Sequence, residues 1–351
     1  MTDREDPMCT PPANGGFVGL NDPSAAKGAV KCQKAIEKAS ARFVTKKIAR
    51  LGKCVDLVFA CVQLKNGDQT CTDKAKATCD KQVLGIAADE MAFQAALEKA
   101  CDDSQGGSVS FDDALALTGL GYTAEDPLCP GTFSTFSDIA GCIIARHECG
   151  AERTLVAAAP RAAEMLTTLG HDPTTEFPCL AAANGADGAG AGIADPVRAK
   201  AAVKCQAAIK KAGLKLAKAG LKTGPKCTDA AATCIQLKPG AACQAKAAPK
   251  CQAAFGKFGT GVLAKLLVAA AKKCDTSSIG ITEIDATAGL GFVAAATRCS
   301  QFNLPLSTPV ELRIECVGGQ HLCEGAQMLE CEAPRLREYA DFLGVQVPEG
   351  L

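Results

Sequence analysis

From Ala25 onward, and again from Arg198 onward, the chain runs through long stretches of Ala, Lys, Leu and Gln with no sustained alternation of β-branched and polar residues. These residues favour helix, and the missing two-residue period argues against strands. The cysteines add a periodic signal. From Cys32 to Cys54 a helix turns about 40° beyond six full turns, and the step on to Cys61 brings the direction back by about 20°, so all three share one face.

Residues that face each other across an antiparallel helical hairpin have position numbers of constant sum. Cys61 with Cys71, Cys54 with Cys79 and Cys32 with Cys101 sum to 132 or 133; Cys234 with Cys243, Cys227 with Cys251 and Cys205 with Cys274 sum to between 477 and 479. The spacing therefore predicts two hairpins, each stapled by three nested disulfides and turning at Lys65–Asp68 (KNGD) and Lys238–Gly240 (KPG). Disulfides bring Cα atoms within about 7 Å, closer than ordinary helix pairs, and the abundant Ala and Gly permit that approach. Gly52, and Gly224 with Pro225, predict a kink before each tip, while Pro249 predicts separate first turns in the second return helix. Further helices are expected over Phe111–Leu117, Ser134–His147 and Glu152–Leu169, with shorter equivalents up to Leu343.

The chain also repeats itself. A-V-K-C-Q stands at Ala29–Gln33 and again at Ala202–Gln206, and ten cysteines in each half follow in parallel, leaving Cys331 over. C-x4-N-G recurs at Cys9–Gly15 and Cys179–Gly185, G-L-G-Y from Gly119 returns as G-L-G-F from Gly289, and Pro160-Arg161 returns as Pro334-Arg335. Self-similarity of this kind marks a duplicated structural unit. The expected fold is all-α, a tandem duplication of a disulfide-stapled helical-hairpin bundle: an N-terminal arm over 1–24, the first repeat over 25–178, an arm or linker over 179–197 and the second repeat over 198–351. Gly/Ala-rich Ala181–Asp195 reads as a flexible tether between two domains, and Pro11–Ser24 as an extended arm.

Composition narrows the setting. There are 21 Cys, no Trp and only 13 Phe and 2 Tyr, so crosslinks are plentiful where aromatic cores are scarce. No C-x-x-C or C-x-C occurs, which removes the signatures of zinc ribbons, thioredoxin-like sites and haem attachment and favours a disulfide framework in an extracellular or periplasmic compartment. Met1–Met8 has no apolar core of a signal peptide and no run of 18 apolar residues exists, so neither a leader nor a transmembrane helix is expected; a leader would have been removed.

Charge distribution says more than the net charge of zero. Arg198–Lys273 carries 15 Lys and one Arg against the single acid Asp229, a net of +15, and Ala25–Ala100 carries +6, so the remainder is acidic. Basic hairpins are expected to engage an anionic polymer or a sister subunit, with Lys210, Lys211, Lys215 and Lys218 as the contact residues. Nucleic acid is not expected, because only Phe255 and Phe258 in that hairpin are available to stack on bases.

Candidate chemistry is sparse. C-x4-H-x-C occurs in both halves, as Cys142, His147, Cys149 and as Cys316, His321, Cys323, and its thiolates and imidazole suit Zn or Cu. Two further disulfides beside a polar His is the simpler reading of each motif, so no cofactor is expected. His171, without a counterpart in the second half, reads as a surface residue before a turn. Asp102–Asp113 loosely follows a calcium loop but places Gly106 at a ligand position, so a helix-capping loop is expected. The odd Cys331 predicts either a buried thiol or a bridge that joins two chains into a dimer. Phosphate-binding Gly loops, H-E-x-x-H and nucleophile elbows are missing, which leaves a dispersed carboxylate site as the catalytic alternative. The reading is a secreted, non-catalytic binding or structural scaffold.

Overall fold

Asp22 starts the first helix: its carboxylate accepts from the Ala25 amide at 2.7 Å, and Pro23, which has no amide hydrogen to satisfy, fills the first position. The structure, a computed structural model, describes residues 14–122, 132–256, 263–274, 278–295, 299 and 310–346. Helix α1 (Pro23–Lys65) ends at Asn66 in the left-handed conformation, and Asp68 then caps α2 (Gln69–Cys101) through the Thr70 amide. Short helices α3 (Phe111–Leu115), α5 (Ala162–Thr168), α6 (Pro173–Glu176) and α7 (Pro178–Ala182) precede and follow the longer α4 (Phe136–Ala158) along the chain. Asp195 caps α8 (Pro196–Leu237), which is followed by α9 (Ala241–Gly256), α10 (Leu263–Ala271), α11 (Ile281–Asp285), α12 (Val310–Glu332) and α13 (Leu336–Phe342). The protein is all-α, with no strand among the described residues, and no described helix is long and apolar enough to cross a membrane.

Eight disulfides staple the described residues. Cys32–Cys101, Cys54–Cys79 and Cys61–Cys71 tie α1 to α2 with Cα separations of 4.8, 4.9 and 5.7 Å. Cys205–Cys274, Cys227–Cys251 and Cys234–Cys243 tie α8 to the return segment at 4.7, 4.2 and 5.6 Å. These six are the pairs of constant sum. Cys149–Cys179 and Cys299–Cys316 complete the set.

Two local expectations fail for identifiable reasons. Both long helices run without interruption through Gly52 and through Gly224–Pro225, and Gly224 serves close packing, since a Cβ there would lie 2.5 Å from Leu329 Cδ2. Likewise α9 continues through Pro249, held on either side by the crosslinks at Cys243 and Cys251. The break expected after His147 is absent, so α4 is a single helix. Gly150 there admits Met328, whose Cγ would be 2.7 Å from an added Cβ, and the helix stops only before Pro160.

The two halves share one core. α1 and α8 lie antiparallel along each other, with Lys34 beside Asp229, Thr228 bonded to Glu37, and Lys210 beside Gly52 and Asp56. A single apolar cluster runs from Phe43, Leu51 and Phe59 of α1 through Leu155 of α4 to Leu216 and Leu221 of α8. Ala181–Asp195 is not a loose tether. The Gly188 and Gly190 amides each donate to Glu164 at 2.8 Å, Ala186 bonds to Pro160, and the Ile193 amide donates to Gln63 at 2.9 Å. Residues 15–20 are held in the same manner against the far half. The Gly15 and Phe17 amides donate to Glu338 at 2.8 and 2.9 Å, and the Leu20 amide to Gln236 at 2.9 Å.

Two fully buried arginines close these junctions. Arg335 spends all five donors: Nε and Nη2 on Glu338, Nη1 on the carbonyls of Thr118 and Gly119, and Nη2 again on the carbonyl of Val18. Arg161 does the same with Glu164 and the carbonyls of Ala288, Gly289 and Ala191. Each guanidinium thereby joins an arm, the G-L-G loop of the other half and its own short helix. A buried charge is tolerable here because it is paired and every hydrogen finds an acceptor.

Candidate functional site

The strongest surface feature is one face of α8. Lys200, Lys204, Lys211, Lys215, Lys218, Lys222 and Lys226 are all exposed, and none of them forms an ion pair among the described residues. Their spacings of three, four and seven keep them on one side of the helix, over roughly 39 Å at 1.5 Å per residue. Of the four lysines expected to bind anions, three are on this face. Lys210 is the correction: its side chain is 7 % exposed, with the ammonium between the Gly52 carbonyl and Asp56. Burial lowers its affinity for a proton and Asp56 restores part of it. One position along a helix turns a side chain by about 100°, which puts Lys211 in water and Lys210 against α1.

C-x4-H-x-C does not assemble a Zn or Cu site. Cys142, Cys149 and Cys316 are each in a disulfide, and a disulfide sulfur is not the thiolate that such metals require. Cys323, half-buried, accepts from Gln327 Nε2 at 3.9 Å, while His321 of the same motif bonds Val317 through Nδ1 at 2.7 Å. Among the described residues no three or more His, Cys, Asp or Glu side chains converge as a metal-ligand set. Cys149 pairs with Cys179, which binds the segment between the halves to α4; Cys9, which precedes N-G at the same spacing as Cys179, and Cys129 lie outside the described residues.

The two motif histidines instead mark the interior. His147 is fully buried, with Nε2 3.4 Å from Glu332 Oε2, and burial takes it down to about 3; His321 is buried likewise and taken down to about 4. Around His147 a polar cluster gathers from four helices. Glu37 accepts from Thr228 and from Gln33, Gln33 also reaches the Glu332 carbonyl at 2.8 Å, and the Tyr122 hydroxyl donates to that same carbonyl at 2.8 Å. Tyr122 is thus the aromatic plug that follows the G-L-G turn. Desolvation pushes Glu37 up to about 8, with the Asp229 charge adding to the rise, and takes Glu332 well above the usual carboxylate range, helped by Glu37. At neutral pH the cluster is therefore largely uncharged, with Cys331 half-buried next to it.

Other candidates resolve into supports. Asp102 caps the short 3-10 turn by accepting from the Ser104 amide and hydroxyl, and Ser110 caps α3, so Asp102–Asp113 is a capping loop. His171 is largely covered, with Nδ1 2.8 Å from Glu176 and the ring near Asp80 of α2. The buried roles of Arg161 and Arg335 lay outside the sequence reading, although the recurring Pro-Arg pair was the signal that pointed to them. No protein-family model matches the chain, and no curated protein or solved structure matches it.

Proposed function

We propose that this protein is a non-catalytic binding scaffold of an extracellular or periplasmic compartment, a tandem duplication of one disulfide-stapled hairpin unit, and that the lysine face of α8 binds an anionic polymer. One observation carries the reading. Seven exposed lysines without ion-pair partners among the described residues lie along one helix of a protein with zero net charge, where a purely solvating surface would intersperse acids. α8 contains no aromatic residue, so stacking on bases has no platform and an acidic polysaccharide suits the face better than a nucleic acid. Eight disulfides support an oxidising compartment. Two of the carboxyl groups of raised pKa, Glu37 and Glu332, are closed off from solvent at 2 % and 0 % exposure, which speaks against a carboxylate active site at that cluster.

The test is salt elution from a heparin-type resin. Lys211→Gln, Lys215→Gln and Lys218→Gln combined are expected to lower the eluting salt concentration markedly while leaving thermal unfolding in place. Retention unchanged in the triple variant refutes the assignment.

A further inference from the structure

One face of α2 is apolar and uncovered. Leu84 is 73 % exposed and Met91 67 % exposed, and Ala88 and Ala95, exposed as well, follow at steps that make the series four, three and four residues. At 100° per residue these four lie within about 30° of one line along the helix, and exposed Ala77 extends that line to about 27 Å. They form a crest on the side of α2 turned away from buried Ile86, Phe93 and Leu97. A face that serves only to meet water would carry charges there, as α8 does with its lysines.

The charges beside the crest are sorted by sign. Lys81 and Lys99 stand about 50° to one side of it, and Asp80 and Glu98 about 50° to the other. Both lysines are exposed and form no ion pair among the described residues. On their side α1 adds exposed Lys38 and Arg42, also without ion pairs among the described residues, across an open cleft of about 250 Å3 that Ala92 and Ala96 of α2 line. On the other side Asp80 has Lys76 at 3.2 Å and His171 at 3.3 Å, Glu98 accepts from Gln94 at 2.9 Å, and α4 adds Glu148, which holds Lys47. Carboxyl groups crowd each other there: burial and the nearby Glu148 charge push Glu90 up to about 7.

We infer that this crest is the contact between two copies of the chain, their α2 helices side by side and parallel about a two-fold axis that runs along them. The charges fix the orientation. An axis parallel to α2 sets the lysine edge of each copy against the acidic edge of the other, with Lys81 facing the partner's Asp80 and Lys99 facing the partner's Glu98. An axis across the helix would set lysine against lysine and acid against acid. Edges of opposite charge beside an apolar seam are what pair helices in a parallel coiled coil, and the small Ala88 and Ala95 let the two helix axes approach to about 8 Å. The seam is short, so the dimer is expected to be of micromolar strength. It uses no residue of the α8 lysine face and does not depend on the polymer-binding reading.

Sedimentation equilibrium of the oxidised full chain at concentrations up to about 0.5 mM tests it. A reversible equilibrium between monomer and dimer is expected, weakened severalfold as salt rises from about 50 to about 500 mM, because the facing edges attract. Leu84→Glu with Met91→Glu is expected to leave only monomer, with thermal unfolding little changed since both side chains are exposed. Lys99→Glu is expected to weaken the dimer severalfold by placing acid against acid, and Lys99→Glu with Glu98→Lys, which exchanges the two edges at that end, to restore it. The proposal is overturned by a monomer at every concentration, by a dimer that survives Leu84→Glu with Met91→Glu, by a dimer that salt strengthens, or by failure of the exchanged pair to restore what Lys99→Glu loses.

Discussion

Arg335→Met replaces a fully buried guanidinium with an apolar side chain of similar length, and the structure shows what is left behind. Glu338, itself 1 % exposed, loses both guanidinium bonds at 2.9 and 2.7 Å and keeps only the Gly15 and Phe17 amides. The Val18 carbonyl loses its bond from Nη2, while the Thr118 carbonyl retains Gln236 at 2.7 Å. Removing one partner of a buried ion pair costs about 3–5 kcal/mol, so a loss of about 4 kcal/mol is expected in urea unfolding followed by far-ultraviolet circular dichroism. Arg335→Met with Glu338→Gln should cost less than the sum of the single changes, with a coupling of about 2 kcal/mol, because the second change removes the stranded charge. Hydrogen exchange at the Gly15 and Phe17 amides should accelerate, since the arm is released from α13. A single variant within 1 kcal/mol of the parent, or costs that simply add, would refute the view that this arginine locks the arm and the G-L-G loop to the second half.

Other outcomes follow from the same contacts. Glu37 holds its proton up to about 8 in the folded chain against 4.5 as a free side chain, so its contribution is present below 4.5 and is lost as pH rises to 8; between pH 6.5 and 8.5 about 2 kcal/mol should disappear, and Glu37→Gln should flatten that decline in pH-dependent urea melts. The two histidines act at the other end. With folded values near 3 and 4 and an unfolded value of 6.5, they withdraw stability as pH falls below 6.5, which His147→Gln should lessen in acid titrations. Removing Cys54–Cys79, which closes 25 residues, should cost about 3.5 kcal/mol by the loop-entropy relation, read as a lower midpoint for Cys54→Ala with Cys79→Ala. Lys210→Met should lower stability without lowering the salt needed for elution from a heparin-type resin; a large drop in that salt would return Lys210 to the binding face.

Much of the scaffold was legible in the chain because a disulfide ladder is a one-dimensional constraint. Two antiparallel helices of equal rise must pair residues of constant sum, so Cys32 with Cys101 and Cys205 with Cys274 follow from counting, and KNGD and the Asp caps fix where the helices turn. The excess of Lys over acids in Arg198–Lys273 was equally open to counting. What counting could not reach is everything settled by a third element. Pro249 and Gly150 read as breaks because propensity sees only neighbours, whereas crosslinks hold the helix around Pro249 and Met328 needs the space at Gly150. Whether Lys210 faces water or Asp56 depends on α1 lying against α8, a packing between segments 158 residues apart in sequence. The paired His likewise recur at one spacing in both halves, yet His147 meets Glu332 in a polar cluster while His321 packs on Gly213 of α8. Which neighbour a buried ring meets is set by side-chain volume, and volume matters only once several helices enclose it.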